Sequence, residues 1–372
     1  MILINFHRYS LFSITTFFSL PLWPKYAGLP SFQVIFDSEP DLEIRHSKLF
    51  HAQNTSPEFF LNERIKEIKN LALYPNSNLS LLKRRSYLTI KLSPKNNLNE
   101  KPFLEKGMTE IGQESRDLSI LTQQLRQICE QIEYTIKHSG IKFKALNANE
   151  FLLNLREVFH PISERISNET LKSDYKDSAS LSSQILKGFL EITPHSIGVG
   201  SDSWEVLSAI DQPPTVYIGM CSKLLSLNIP FRFVLNIRKC IDVSDLEKKK
   251  FLLKNATDSF GELQREEIKG TQDRIARGEN LVFVSMHLFV RNQNLPVAKV
   301  KEDGIGRSIV SKLKTLTQMD FLLEKYAAPA LFLMSLPLCY SKSAASFSGR
   351  EKRVLSKKIA PYLPLFGGFQ GT

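Results

Sequence analysis

IPFRFVLNIRK (229–239) and LVFVSMHLFVRN (281–292) decide the fold. In the first, Phe231, Phe233, Leu235 and Ile237 alternate with Arg232, Asn236 and Arg238. In the second, Val282, Val284, Met286, Leu288 and Val290 fall on one side. Period-two alternation places successive side chains on opposite faces, so each stretch predicts a strand. Between them Ser244 and Glu247 have the spacing of a capping box. The helix they open is expected to run to about Gly278, with Leu246, Leu253, Ala256, Phe260 and Leu263 at heptad spacing. A further helix is expected over roughly 305–325. APALFLMSLPL (328–338) is expected as a third strand, with 329–336 buried.

Outward from this block, SWEVLSAIDQPP (203–214) predicts a short apolar strand ended by a Pro-Pro break. SPEFFLNERIKEIKNLAL (56–73) predicts an amphipathic helix with Pro57 at its first position. Leu88, Ile90 and Leu92 alternate within 80–94 and predict a strand closed by Pro94. Leu118, Leu121, Leu125, Ile128, Ile132 and Ile136 make one apolar stripe of a long helix stopped by Gly140. IKFKAL (141–146) reads as a short strand. Asn147 and Glu150 form a second cap pair, and Pro161 ends the helix that follows. The fold class is therefore α+β: two α/β units, 29–161 and 186–340, with long helices packed on mixed or antiparallel sheets. A polar, Ser-rich linker is expected over 162–185, and a basic connector with a Gly-rich turn over 341–372. Residues 1–28 are apolar with Arg8 near the front. The uncharged run from Tyr9 to Trp23 falls short of the roughly 20 residues that a spanning helix needs. Leader, membrane-surface anchor and buried segment all fit this composition.

The chain has 372 residues and a formal net charge of +11, which favours acidic partners: nucleic acid, anionic lipid or an acidic protein surface. The cysteines, Cys129, Cys221, Cys240 and Cys339, are widely spaced, so zinc spacing is absent and each reads as a small buried apolar residue. No G-x-x-x-x-G-K-[ST] loop and no G-x-S-x-G elbow occurs. GVGSDS (198–203) and GIGRSI (304–309) lack the third glycine of a dinucleotide fingerprint and read as a turn or a helix cap. His195 reads as a turn residue, His287 as a packed strand residue, and Glu266–Glu267 as solvated surface. No catalytic, cofactor-binding or metal-ligating residue is expected. One cluster stands out. Lys342, Arg350, Lys352, Arg353, Lys357 and Lys358 share a short stretch with the single acid Glu351. Such a run can hold phosphates or anionic lipid heads, or can be a solvated linker.

In order along the chain, several of these pieces resemble the N-terminal region of the TraC-type (VirB-type) ATPases of conjugation and type IV secretion. They are LSLLKRRSYLTIKLSP (79–94), TIKHSGIKFKALNANEFLLNLREVFHP (135–161), IPFRFVLNIRK, ARGENLVFVSMHLFVRN (276–292) and MSLPLCY (334–340). SGREKRVLSKKIAPYLPLFGGFQGT (348–372) closes the series. The resemblance covers roughly 30–372. It departs at Lys358-Ile359-Ala360, where the family tends to Asn-Leu/Ala, and it lacks the family's opening segment. In such ATPases the closing Gly turn leads into the motor. The resemblance thus implies a non-catalytic accessory (docking) domain, truncated or split before the motor, with ATP needed only by that absent part. Implied partners are a motor-domain polypeptide and inner-membrane channel components, at the cytoplasmic face of the inner membrane. The alternative is a stand-alone basic module for DNA or anionic lipid.

Overall fold

The structure, a computed structural model, describes residues 3–7, 28–40, 82–94, 111–138, 142–161, 175–176, 178–185, 190–211, 220–240, 244–253 and 259–363. Among the described residues its centre is an 11-stranded sheet in the order β4-β1-β3-β2-β8-β9-β7-β6-β5, with β10 paired to β7 and β11 to β9. The strands are β1 (Leu3–His7), β2 (Gly28–Pro40), β3 (Leu82–Pro94), β4 (Lys142–Ala145), β5 (Leu190–Ile192), β6 (Ile197–Val199), β7 (Asp202–Ala209), β8 (Phe231–Lys239), β9 (Leu281–Asn292), β10 (Phe321–Leu323) and β11 (Lys352–Leu355). All of these pairings are antiparallel. The fold is α+β, as the pattern predicts. Strand β2 of the first expected unit pairs with β8 of the second, from Ser31↔Arg238 to Ser38↔Phe231, so the two units share one sheet.

The two faces of the sheet differ. One is apolar: Phe32, Val34 and Phe36, then Leu88 and Ile90, then the alternating residues of β8 and β9. The long helix α1 (Ile111–His138) covers it with Ile128, Ile132 and Ile136. Burying each such side chain contributes about 1.5–3 kcal/mol, so the alternation sets the register firmly. The other face mixes Ile35, Val234 and Phe289 with polar groups. It is covered by α2 (Ala148–Phe159) and by the short helix α3 (Leu181–Ile185), whose Gln184 carbonyl accepts Arg156 Nε at 2.7 Å. The end of the expected linker is thus packed. The Asn147–Glu150 capping box is present on α2.

Helix α4 spans Ser244–Leu252 and α5 spans Ser259–Ala276. Both lie within the expected heptad helix, and 254–258 between them lie outside the described residues. Phe260 and Leu263, placed on its stripe, are 65% and 62% exposed. Helices α6 (Val297–Asp303) and α7 (Gly306–Thr317) follow. The expected strand at 329–336 is helix α8 (Ala328–Ser335), with proline in its first turn. Ala328, Leu331, Phe332 and Ser335 are buried while Leu333 faces solvent, a helical period. No residue of 328–338 is β-branched, and Ala, Leu and Met favour helix, so an all-apolar run here lies down as a helix. Gln33 holds its C-terminus: Nε2 donates to the Met334 carbonyl at 2.7 Å, and Oε1 accepts the Leu338 amide at 3.3 Å. Helix α9 (Lys342–Ser348) then leads into β11. The helix expected at 56–73, the stop at Gly140 and the Gly turn near the C-terminus lie outside the described residues, as do most of 1–28 and the side chains at Ser244.

Candidate basic cleft

Three neighbouring strands build one wall of the site. Arg238 of β8 stands opposite Phe283 of β9, and Arg353 of β11 stands opposite the same Phe283. Directly paired residues share a face. The Arg238 guanidinium accordingly lies 3.8 Å from the Phe283 ring centre, and that of Arg353 lies 5.2 Å from it. This is a cation–π arrangement in which guanidiniums from the two flanking strands approach one ring. Arg238 turns inward to Glu351, Nε and Nη2 donating to its two oxygens at 2.7 and 2.5 Å. The Tyr340 hydroxyl donates to the same carboxylate at 2.5 Å. Burial and then the Glu351 charge push the Tyr340 pKa up, so the phenol stays protonated as a donor. Glu351 is thereby engaged twice, and its charge is offset from within.

The opposite wall is α4. Lys248, Lys249 and Leu252 face Glu351, Lys352 and Arg353 across an open cleft of about 530 Å³. Among the described lining residues, four cations surround one carboxylate that Arg238 has already neutralised, so this lining favours an anion.

The six residues of the basic cluster separate in space. Lys352 and Arg353 line the cleft. Arg350 turns inward and grips the buried Glu324 with two bonds, 2.6 and 3.2 Å. Lys357 reaches Glu279 at 3.3 Å. Lys342 and Lys358 are exposed on either side. The cluster is neither a loose linker nor one continuous basic face. Sequence reasoning missed Lys248 and Lys249. The run Glu247-Lys248-Lys249-Lys250 was the available signal, but only the fold brings it to β11.

Both glycine-containing stretches resolve into backbone roles. GVGSDS is the turn between β6 and β7, with Gly200 at φ 59°. GIGRSI spans the α6–α7 junction, and the buried Glu205 carboxylate accepts the Gly306 amide at 2.9 Å. The start of α7, where a phosphate would sit in a dinucleotide fold, is occupied by the protein's own carboxylate. His195 lies in a bend, and His287 is buried on β9. Cys129, Cys221 and Cys240 are buried free thiols, whereas Cys339 is exposed, against expectation. Among the described residues no group of three or more His, Cys, Asp or Glu could hold a metal ion. Among the same residues no helix is long and apolar enough to cross a membrane. No protein-family model and no curated protein matches the chain.

Proposed function

We propose that this chain is a non-catalytic docking domain of a TraC-type conjugation or type IV secretion ATPase, working at the cytoplasmic face of the inner membrane. One observation carries the reading. The basic segment that closes the resemblance is stitched into the body of the sheet. Strand β11 pairs with β9, Arg350 holds Glu324, and Glu351 is held by Arg238 and Tyr340. A segment fixed this way can transmit the position of whatever binds beside it, which a solvated linker cannot. In this reading Lys342, Lys357 and Lys358 meet an acidic surface of the motor polypeptide, and channel components contact the same domain. The nucleotide chemistry belongs to the motor, since this sequence has no Lys-Ser/Thr phosphate loop.

The test mixes the purified chain with a TraC-type motor polypeptide in lipid-free buffer. Association is expected at low salt and should weaken steeply as salt rises, because exposed charges are screened. Lys342, Lys357 and Lys358 changed together to Ser should weaken it further. The chain alone should show ATP turnover no higher than a buffer blank. Absence of association at low salt, or turnover that survives repurification, overturns the reading.

A further inference from the structure

Leu252 lines the basic cleft, yet it is 77% exposed, and its neighbour Phe251 is 76% exposed. Two large apolar side chains stand in solvent directly after Lys248, Lys249 and Lys250 on one short helix. Soluble surfaces tolerate single exposed apolar residues, but an adjacent pair rimmed by cations marks a contact surface. We propose that the cleft and this rim form a docking site for an anionic phospholipid bilayer. Lys248, Lys249, Lys352 and Arg353 take the headgroup phosphates, and Phe251 and Leu252 enter the boundary between headgroups and acyl chains.

The occupant follows from the chemistry of the site. A bilayer presents phosphate beside hydrocarbon, and this surface sets cations beside two exposed apolar side chains. Among the described residues lining the cleft the one acid, Glu351, is taken up by Arg238 and Tyr340 and offers little repulsion to an arriving anion. The guanidinium of Arg353 is steadied over Phe283, which lowers the ordering cost of a bidentate phosphate contact. Duplex nucleic acid would use the cations equally well but would leave Phe251 and Leu252 in water, and a single strand could stack a base on Phe251 but has no use for the aliphatic Leu252. The proposal goes beyond the docking reading, and it needs no motor polypeptide to hold.

Cosedimentation of the full chain with sucrose-loaded vesicles tests it. Vesicles of phosphatidylcholine with one quarter phosphatidylglycerol are expected to pull the chain down, and pure phosphatidylcholine vesicles are not. Changing Lys248 and Lys249 to Ser is expected to lower partitioning about tenfold or more, as is changing Lys352 and Arg353 to Ser. Phe251→Ser with Leu252→Ser is expected to lower it by a similar factor at every salt concentration. All these side chains are at least partly exposed, and an unchanged thermal midpoint checks that the variants fold. The proposal is overturned by any of three results. The first is no preference for the anionic vesicles. The second is full partitioning of the Phe251/Leu252 variant, which would leave a purely electrostatic surface such as one for DNA. The third is release by soluble glycerol phosphate at the same phosphate concentration, which would make the site one for free phosphates. Motor association in lipid-free buffer is scored separately, so either reading can fail alone.

Discussion

His287 is a titratable group kept neutral by its place in the sheet. It is 1% exposed, and its Nδ1 shares a hydrogen bond of 2.8 Å with Ser208 Oγ from the paired strand. Burial, and after it the nearby Arg350 guanidinium, lowers its pKa from 6.5 to about 3. The unfolded chain takes up a proton near pH 6.5, whereas the folded chain does so only near pH 3. Stability is then fully present above about pH 6.5 and is lost as pH falls through that window. The slope reaches about 1.4 kcal/mol per pH unit. Carboxylates also titrate in this range, so the comparison is with His287→Gln. Between pH 7 and pH 5 the urea midpoint of the wild-type protein should fall further than that of the variant. Equal falls would remove His287 from the acid limb. Arg232 and Asp37 show the other solution to burial, a cross-strand pair joined by two bonds of 2.6 and 2.7 Å. There burial pushes the Asp37 carboxyl up from its ordinary value, and the charge and hydrogen bonds of Arg232 work against that push.

Two helix starts show which local signals can be read from sequence and which cannot. The Asn147–Glu150 box was legible because both partners lie within four residues. Helix α7 has no such box; its N-cap Ile305 makes no side-chain cap bond. Its cap comes from Glu205 on β7, about a hundred residues away, with Asn292 bridging from β9: Asn292 Nδ2 donates to Glu205 at 2.9 Å, and its Oδ1 accepts the Ile305 amide at 3.2 Å. The glycines of GIGRSI were visible, but their reason is steric and non-local. A Cβ on Gly306 would sit 2.6 Å from Glu205 Oε1, and one on Gly304 would sit 2.4 Å from the Val300 carbonyl oxygen. Gly304→Ala and Gly306→Ala should each destabilise the protein, by about 1–3 kcal/mol. Gly270, inside α5 with nothing within 4 Å, is the control; its change to Ala should stabilise by about 0.5–1 kcal/mol. Chemical denaturation of the three variants checks this, and a neutral Gly306→Ala would mean that the carboxylate does not hold the helix. The same limit explains the misread elements. Strands β3, β8 and β9 alternate over many residues and were legible. At 328–338 nearly every residue is apolar, so no period shows, and the choice fell to helix-forming composition and to Gln33, a partner roughly 300 residues distant. The cleft was half legible for the same reason, since Lys352 and Arg353 lie in a basic run while Lys248 and Lys249 meet them only through the pairing of β11 with β9.

Across the whole molecule, the position of β2 makes a prediction about cooperativity. It lies between β3 on one side and β8 on the other, with paired residues along most of its length on both edges. Its apolar side chains join the same core as those of β8 and β9. The charges at its far end tie in as well: Asp37 binds Arg232 across the junction, and within the first half Arg85 of β3 binds Glu157 of α2 at 2.6 Å. Glu157 in turn offers its carbonyl to the buried Arg291 of β9, whose Nε donates to Asp202 of β7 at 2.9 Å. Opening either half would expose the apolar face of the other and leave buried charges without partners, each loss costing several kcal/mol. The amides of β2, β3, β8 and β9 should therefore exchange with deuterium through one common opening event. Their apparent opening free energies should agree within about 1 kcal/mol and should shift together in low urea. Cleavage of the chain between 162 and 174 should leave the two pieces associated. If β2 and β3 exchange freely while β7 and β9 stay protected, or if the cleaved pieces separate in native buffer, the two halves are independent units and the shared sheet does not couple them.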